Sequence, residues 1–257
     1  MRAIFLSIMF LFASLILNAQ TYEVDELSQK SPSNSEEIYS FPILKGGDEE
    51  ICEKINKYLI EDHLYINYGT EQNSIFENVW GNDEDPAMIY SLAFEVDLIN
   101  ERMYSVTLSG EYCGAYCEGY ETTYTFDLET GDIITLNMLF TEEGLEGIVE
   151  EMEKNKKEKI EAKLEEVHAM LASDTLADEM RDYYTEMVDM YENCECVASI
   201  EYLEYQRFIP ADDYLIVVYG RCSAHYNMAM DELWYFELEL PFEQWSGLFS
   251  DYAKELF

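Results

Sequence analysis

The side chains best able to do chemistry in this 257-residue chain are six cysteines and three histidines. Cys113 and Cys117 flank one turn, so a local bridge between them is sterically open if the chain folds back there. Cys194 and Cys196 are badly placed to pair with each other in an extended segment. Each calls for a distant partner, and Cys52 and Cys222 are the ones available. Cys52, Cys113, Cys117, Cys194, Cys196 and Cys222 are thus all candidates for disulfides. A rival use is a zinc site with four thiolates drawn from the 113/117 and 194/196 pairs, but neither spacing is the usual Cys-x-x-Cys, and oxidising compartments favour disulfides. His63, His168 and His225 lie far apart and outside any H-E-x-x-H frame. Cys222 and His225 could form a thiolate–imidazole nucleophile, which a disulfide at Cys222 would remove. The chain holds no G-x-S-x-G elbow, phosphate-binding glycine loop or dinucleotide fingerprint. An acidic stretch, Glu77, Asp83, Glu84 and Asp85, lacks the regular spacing of an EF-hand loop and reads as solvated. The expectation is therefore no catalytic residue, no bound metal and no cofactor.

Charge narrows the partners. Fifteen Lys and Arg against 54 Asp and Glu give a formal charge of −39. Binding to nucleic acid or anionic lipid needs cations on the protein, so neither is expected as a partner. Such a field favours cationic proteins or divalent ions, and it also keeps an exported protein soluble. Export is expected from the N-terminus. Arg2, the uncharged apolar run from Ala3 to Leu17, and small Ala19 have the layout of a cleaved signal peptide over residues 1–19. That run is short for a bilayer-spanning helix, and no later run approaches spanning length, so the mature chain is expected to be periplasmic or extracellular without a membrane span.

These residues must be positioned by a mixed set of elements. Residues 20–37 are polar and read as a tether, and residues 38–257 as one domain. Ile51, Ile55, Tyr58 and Leu59 share a helical face, with Asp48 as N-cap. Leu92, Phe94, Val96 and Leu98 alternate as a strand, and Asn100-Glu101-Arg102 turns it into the stretch Tyr104–Phe140, YSVTLSGEYCGAYCEGYETTYTFDLETGDIITLNMLF. There the pattern predicts strand, cysteine-marked turn, strand, a turn at Gly131, and a third short strand before helix. Leu145 to Leu171 and Leu176 to Met190 read as two helices, the first with Lys154, Lys156, Lys157 and Lys159 on a solvated face. Strands are expected through Ile200, Tyr202 and Phe208 to Pro210, over Tyr214–Tyr219, and along Trp234, Phe236, Leu238 and Leu240. Pro241 then opens a terminal helix with Phe242, Trp245, Leu248, Tyr252 and Leu256 inside. The fold class is α+β: an antiparallel sheet of meandering strands packed by several helices, in a single domain.

The central stretch also carries a resemblance. Cys113-Gly114-Ala115-Tyr116-Cys117, then Phe126-Asp127-Leu128-Glu129-Thr130-Gly131, then Ile134, Leu136, Leu139 and Phe140 resemble the core motif of an extracytoplasmic domain-of-unknown-function family. That family includes the ectodomain of the lysozyme-sensing anti-sigma factor RsiV and the N-terminal module of the peptidoglycan deacetylase PdaC. Tyr116 stands where the family has His, and cysteines stand where glycines are common. The resemblance implies a non-enzymatic binding or sensing domain that recognises a cell-wall glycan or peptide, or a cationic protein such as lysozyme. It places binding at the turn Cys113, Gly114, Ala115, Tyr116 and Cys117. The tyrosines around that turn, Tyr112, Tyr116 and Tyr120, suit a contact patch, with Tyr120 alternatively a core residue. The deacetylases carry their metal-dependent catalysis in a separate domain with no counterpart in these residues. Two other readings stand beside this one: a wall-directed hydrolase using carboxylates or Cys222 and His225, and a calcium-stabilised structural protein.

Overall fold

Period-2 alternation along residues 89–127 builds the centre of the molecule. A computed structural model describes residues 21–32, 38–80, 89–113, 117–195 and 198–257, without the His225 side chain. Strands β1 (Tyr22–Lys30) and β2 (Ile38–Gly46) are followed by helix α1 (Glu49–His63), then by β3 (Ile89–Ile99), β4 (Met103–Cys113) and β5 (Cys117–Asp127). These strands form one sheet in the order β1-β2-β3-β4-β5. The β2–β3 pair is parallel, and the other pairs are antiparallel. A parallel pair requires a crossover, and α1 supplies it. Asp48 caps α1, its carboxylate accepting from the backbone N–H of Glu50 and Ile51. Ile55, Leu59 and Ile60 of the helix then bury against Tyr39, Phe41, Val106, Leu108 and Phe126 of the sheet.

The second half adds a short turn α2 (Leu136–Leu139), a long helix α3 (Glu142–Leu171), α4 (Asp178–Glu192), α5 (Ile200–Leu203) and strands β6 (Arg207–Pro210), β7 (Tyr214–Tyr219) and β8 (Phe236–Pro241), closed by α6 (Phe242–Trp245) and α7 (Asp251–Leu256). Strands β6, β7 and β8 form a separate antiparallel sheet. The start of α3 packs on it through Leu145, Ile148 and Met152. The domain is thus α+β, with several helices covering mainly antiparallel strands. No helix among the described residues is long and apolar enough to cross a membrane.

Several boundaries differ from the expectation. Within the expected tether, residues 22–30 form β1, paired along its length with β2. It is an edge strand whose Tyr22, Val24 and Leu27 are partly buried against the first core while Glu23, Asp25 and Glu26 face water, so its composition reads as polar. The third strand after Gly131 reduces to a single bridge, Phe126 with Ile133. Ile200 and Tyr202 lie in a helical turn, and Trp234 precedes β8 with φ +57°. The terminal helix breaks at Phe249, which bridges to Phe140, and Ser250 then recaps it by accepting from the Ala253 N–H. The signal peptide 1–19, residues 20 and 33–37 of the tether, and Asp83, Glu84 and Asp85 lie outside the described residues.

Asp127 joins the two halves. Its buried carboxylate accepts the Glu129 N–H at 2.7 Å and the Tyr252 hydroxyl at 2.8 Å, tying the end of β5 to α7. The Asp127 carbonyl accepts the N–H of Gly131, whose φ of +71° lets the turn close. Replacing Asp127 with Ala is expected to cost about 2–3 kcal/mol, because two donors lose their partner, and Tyr252→Phe about 1 kcal/mol. In urea unfolding the double variant should fall short of the sum, since the two changes remove one shared bond.

Candidate functional site

The structure draws the expected site residues apart in an informative way. Cys113 and Cys117 face each other across the β4–β5 ladder and are disulfide-bonded. Gly114, Ala115 and Tyr116 lie outside the described residues. Cys194 is bonded to Cys222, and Cys196 lies outside the described residues. Cys52 is corrected: it is a free, buried thiol on the inner face of α1. Its Sγ donates to the Gly46 carbonyl at 3.0 Å, and burial, with Asp48 and Glu49 nearby, pushes its pKa up, so it stays protonated. The four-thiolate zinc set and the Cys222–His225 nucleophile are likewise removed, because the sulfurs of Cys113, Cys117 and Cys222 are held in S–S bonds. Glu77 is engaged by the backbone N–H groups of Gln72 and Asn73.

A site does form beside the disulfide, around a histidine that spacing alone passes over. His63 ends α1 and is only 6% exposed. It meets Tyr120 and Tyr124, which share one face of β5. His63 Nε2 lies 3.1 Å from the Tyr120 hydroxyl, and Nδ1 lies 3.3 Å from that of Tyr124. Tyr124 donates to Asp62 Oδ2 at 2.8 Å. With that proton committed, the Tyr124 oxygen accepts from Nδ1–H, and Nε2 accepts from Tyr120. Burial drives the His63 pKa down to about 4 against a smaller opposing pull from Asp62, so the imidazole is neutral at pH 7. Burial raises both tyrosines as well, Tyr124 further through its bond to Asp62.

Above this network opens a cavity of about 430 Å³. Asp62, His63, Tyr120 and Tyr124 form its inner wall, with Tyr65, Tyr112 and Glu118 also lining it. Tyr65 is 62% exposed and has φ +53°, a region that L side chains rarely adopt. Leu64 and Ile66 on either side are buried, and Asn78 Nδ2 donates to the Tyr65 carbonyl at 2.6 Å, which together hold that conformation. Glu118 is anchored at 2.5 Å by Arg221, whose guanidinium lies over the Tyr235 ring. On the other face of the hairpin a second groove, floored by Ala93, Ser109 and Gly119 and walled by Trp234 and Tyr235, shares Tyr120 with the first.

Comparison with known proteins gives a fold. No protein-family model matches this chain, and no curated protein matches it. Among solved structures, it is similar to a member of the DUF3298 family from Bacteroides fragilis, with a TM-score of 0.52 at 14% identity, covering 91% of this chain and 94% of that one. A DUF3298 family protein from Pseudomonas aeruginosa gives a TM-score of 0.49 at 14% identity over 91% and 96% of the two chains. The chain therefore shares its fold, over nearly its whole length, with a DUF3298 protein, in line with the resemblance carried by its central motif.

The His63 environment makes stability depend on pH. Between pH 6.5 and about 4 the unfolded chain binds a proton at this residue that the folded chain refuses, so stability rises with pH across that window. The contribution is complete above pH 6.5 and lost on acidification, by as much as about 3 kcal/mol. Urea midpoints measured from pH 7 to pH 4 should fall more steeply for the natural chain than for His63→Gln.

Proposed function

We propose that this chain is an exported, non-enzymatic binding or sensing domain that holds its partner at the disulfide-tipped end of the β4–β5 hairpin. One observation carries the reading: a tyrosine-lined cavity opens there, with the exposed rings of Tyr65 and Tyr112 at a preformed site. Tyrosines of this kind supply rigid contact area at little entropic cost. His63 is a poor base at neutral pH, and both of its nitrogens are occupied within the wall. The hydrolase reading built on Cys222 loses its nucleophile to the bond with Cys194. Two disulfides suit an oxidising compartment, to which a signal peptide over residues 1–19 would deliver the chain.

The partner class follows from charge and from the family resemblance: a cationic protein such as lysozyme, or a cell-wall glycan or peptide. A formal charge of −39 steers basic proteins toward the surface and repels acidic ones. Lysozyme titrated onto the protein at low and at high salt should bind more weakly at high salt. Tyr112→Ala should weaken it by roughly tenfold or more, as removal of an aromatic anchor does. Cytochrome c, basic but unrelated to the wall, controls for charge alone. Absence of binding at either salt removes lysozyme as the partner, and soluble wall fragments then become the ligands to titrate.

A further inference from the structure

We infer that the cavity beside His63 takes a single cationic nitrogen group, the guanidinium of an arginine or the ammonium of a lysine presented by a partner, with Asp62 as counter-ion and Tyr65 and Tyr112 as flanking rings. This rests on the binding reading above and names what its recognition end holds. The case turns on the direction of the hydrogen bonds. Tyr124 donates to Asp62, His63 Nδ1–H to Tyr124, and Tyr120 to His63 Nε2. Every proton of the network is therefore committed to another of its members. Lining the cavity are the Tyr120 hydroxyl, whose proton is committed to His63, the solvent-exposed carboxylate of Asp62, and tyrosine rings. A wall made of acceptors is complemented by a ligand rich in donors.

Charge separates a cation from the other donors. Among the described residues no Lys or Arg lines the cavity, and the nearby guanidinium of Arg221 is tied to Glu118 and lies against Tyr235. An anionic ligand would meet Asp62 without a compensating base. A neutral sugar would find donors in the hydroxyls of Thr122, Tyr65 and Tyr112 but would bring no charge to meet the Asp62 carboxylate. Tyrosine faces attract cations through the ring quadrupole, and an arginine also stacks on them. The cavity volume is at the small end of ligand-sized clefts, which suits one side-chain head rather than a polymer. Tyr65, held with φ +53° at the mouth, stands as a ring on the path such a head would take.

The test uses N-acetyl-arginine amide and N-acetyl-citrulline amide, equal in shape and different in charge, titrated onto the intact protein and followed by NMR shifts of the tyrosine rings. The arginine probe should bind at least about tenfold more tightly than the citrulline probe, and Asp62→Asn should erase that preference. Tyr65→Ala should weaken the arginine probe without moving the urea midpoint by much, since the ring is exposed. Equal affinity of the two probes, no binding of either up to the solubility limit, or a preference that survives Asp62→Asn overturns the inference. So does tighter binding of a neutral N-acetylglucosamine trimer at the same rings. Lysozyme binding that needs Tyr112 while neither probe binds would sink this inference and leave the binding role standing; loss of both would sink both.

Discussion

One antiparallel register governs this molecule, running from Met103 opposite Asp127 to Cys113 opposite Cys117. Because side chains alternate, that register puts Tyr120, Thr122, Tyr124 and Phe126 on the face toward α1. It puts Gly119, Glu121, Thr123 and Thr125 on the face toward the second sheet. A slip of one residue would exchange the two sets, turning the tyrosines away from His63 and burying the threonines in the apolar core. Both ends of the ladder are clamped. The Cys113–Cys117 bond closes the far end, and the Asp127 carboxylate closes the near end through Glu129 and Tyr252. Between the clamps, Ser105 and Thr125, and Thr107 and Thr123, pair across the strands, and Ser105 and Thr107 share the half-buried Asp97 carboxylate. These polar rows make a register error costly on the second face too, since each hydroxyl would lose its partner.

The few bases of this acidic chain are used as internal ties. Arg207 pairs with Glu121 at 2.7 Å and Arg221 with Glu118 at 2.5 Å, and the two guanidiniums lie 5.8 Å from the centre of the same Tyr235 ring. The second sheet and its loop are thereby bound to the outer half of the hairpin, beside the cavity. On α3, Lys154 and Lys157 pair with neighbouring glutamates on a solvated face as expected, whereas Lys156, paired with Glu153, is only 13% exposed and Lys159 donates to the Glu237 carbonyl of β8. Each such pair cancels one carboxylate, and the net charge of −39 that remains sets the negative field around the molecule.

Local chemistry was legible in the sequence and long-range convergence was not. The Asp48 cap, the alternation through Leu92, Phe94 and Val96 and the glycine turn at Gly131 each depend on neighbours within a few residues, and each appears where the pattern places it; a register shift after Val96 turns Leu98 to the second core. The edge strand β1 escaped because half of its side chains face water and its pairing partner is the next strand, so its own composition carries little apolar signal. Cys52 counted as a disulfide candidate because cysteine arithmetic ignores position, while α1 turns its sulfur toward the Gly46 carbonyl. The site around His63 was invisible for a stronger reason. His63 lies 57 residues before Tyr120 and 61 before Tyr124, and only the α1 crossover combined with the β4–β5 register brings them together. The tyrosine spacing in β5 hinted at one shared face; nothing local pointed to a histidine as what that face meets.

Desolvation at His63 links stability to the hydrogen-bond polarity of the cavity wall. The same burial that drives its pKa to about 4 holds the ring neutral, and a neutral ring must have one nitrogen that donates and one that accepts. Because Tyr124 has its only proton in the bond to Asp62, the donating nitrogen can only be Nδ1, and Tyr120 is left to donate to Nε2. A charged ring would donate from both nitrogens and force the Tyr120 proton outward, toward the cavity. Hydrogen-bond polarity of the wall is therefore set by a residue whose own groups are fully occupied. An interior arranged in this way presents acceptors at neutral pH without holding an unpaired charge in the core, which is the condition under which a buried polar network stabilises a fold rather than weakening it.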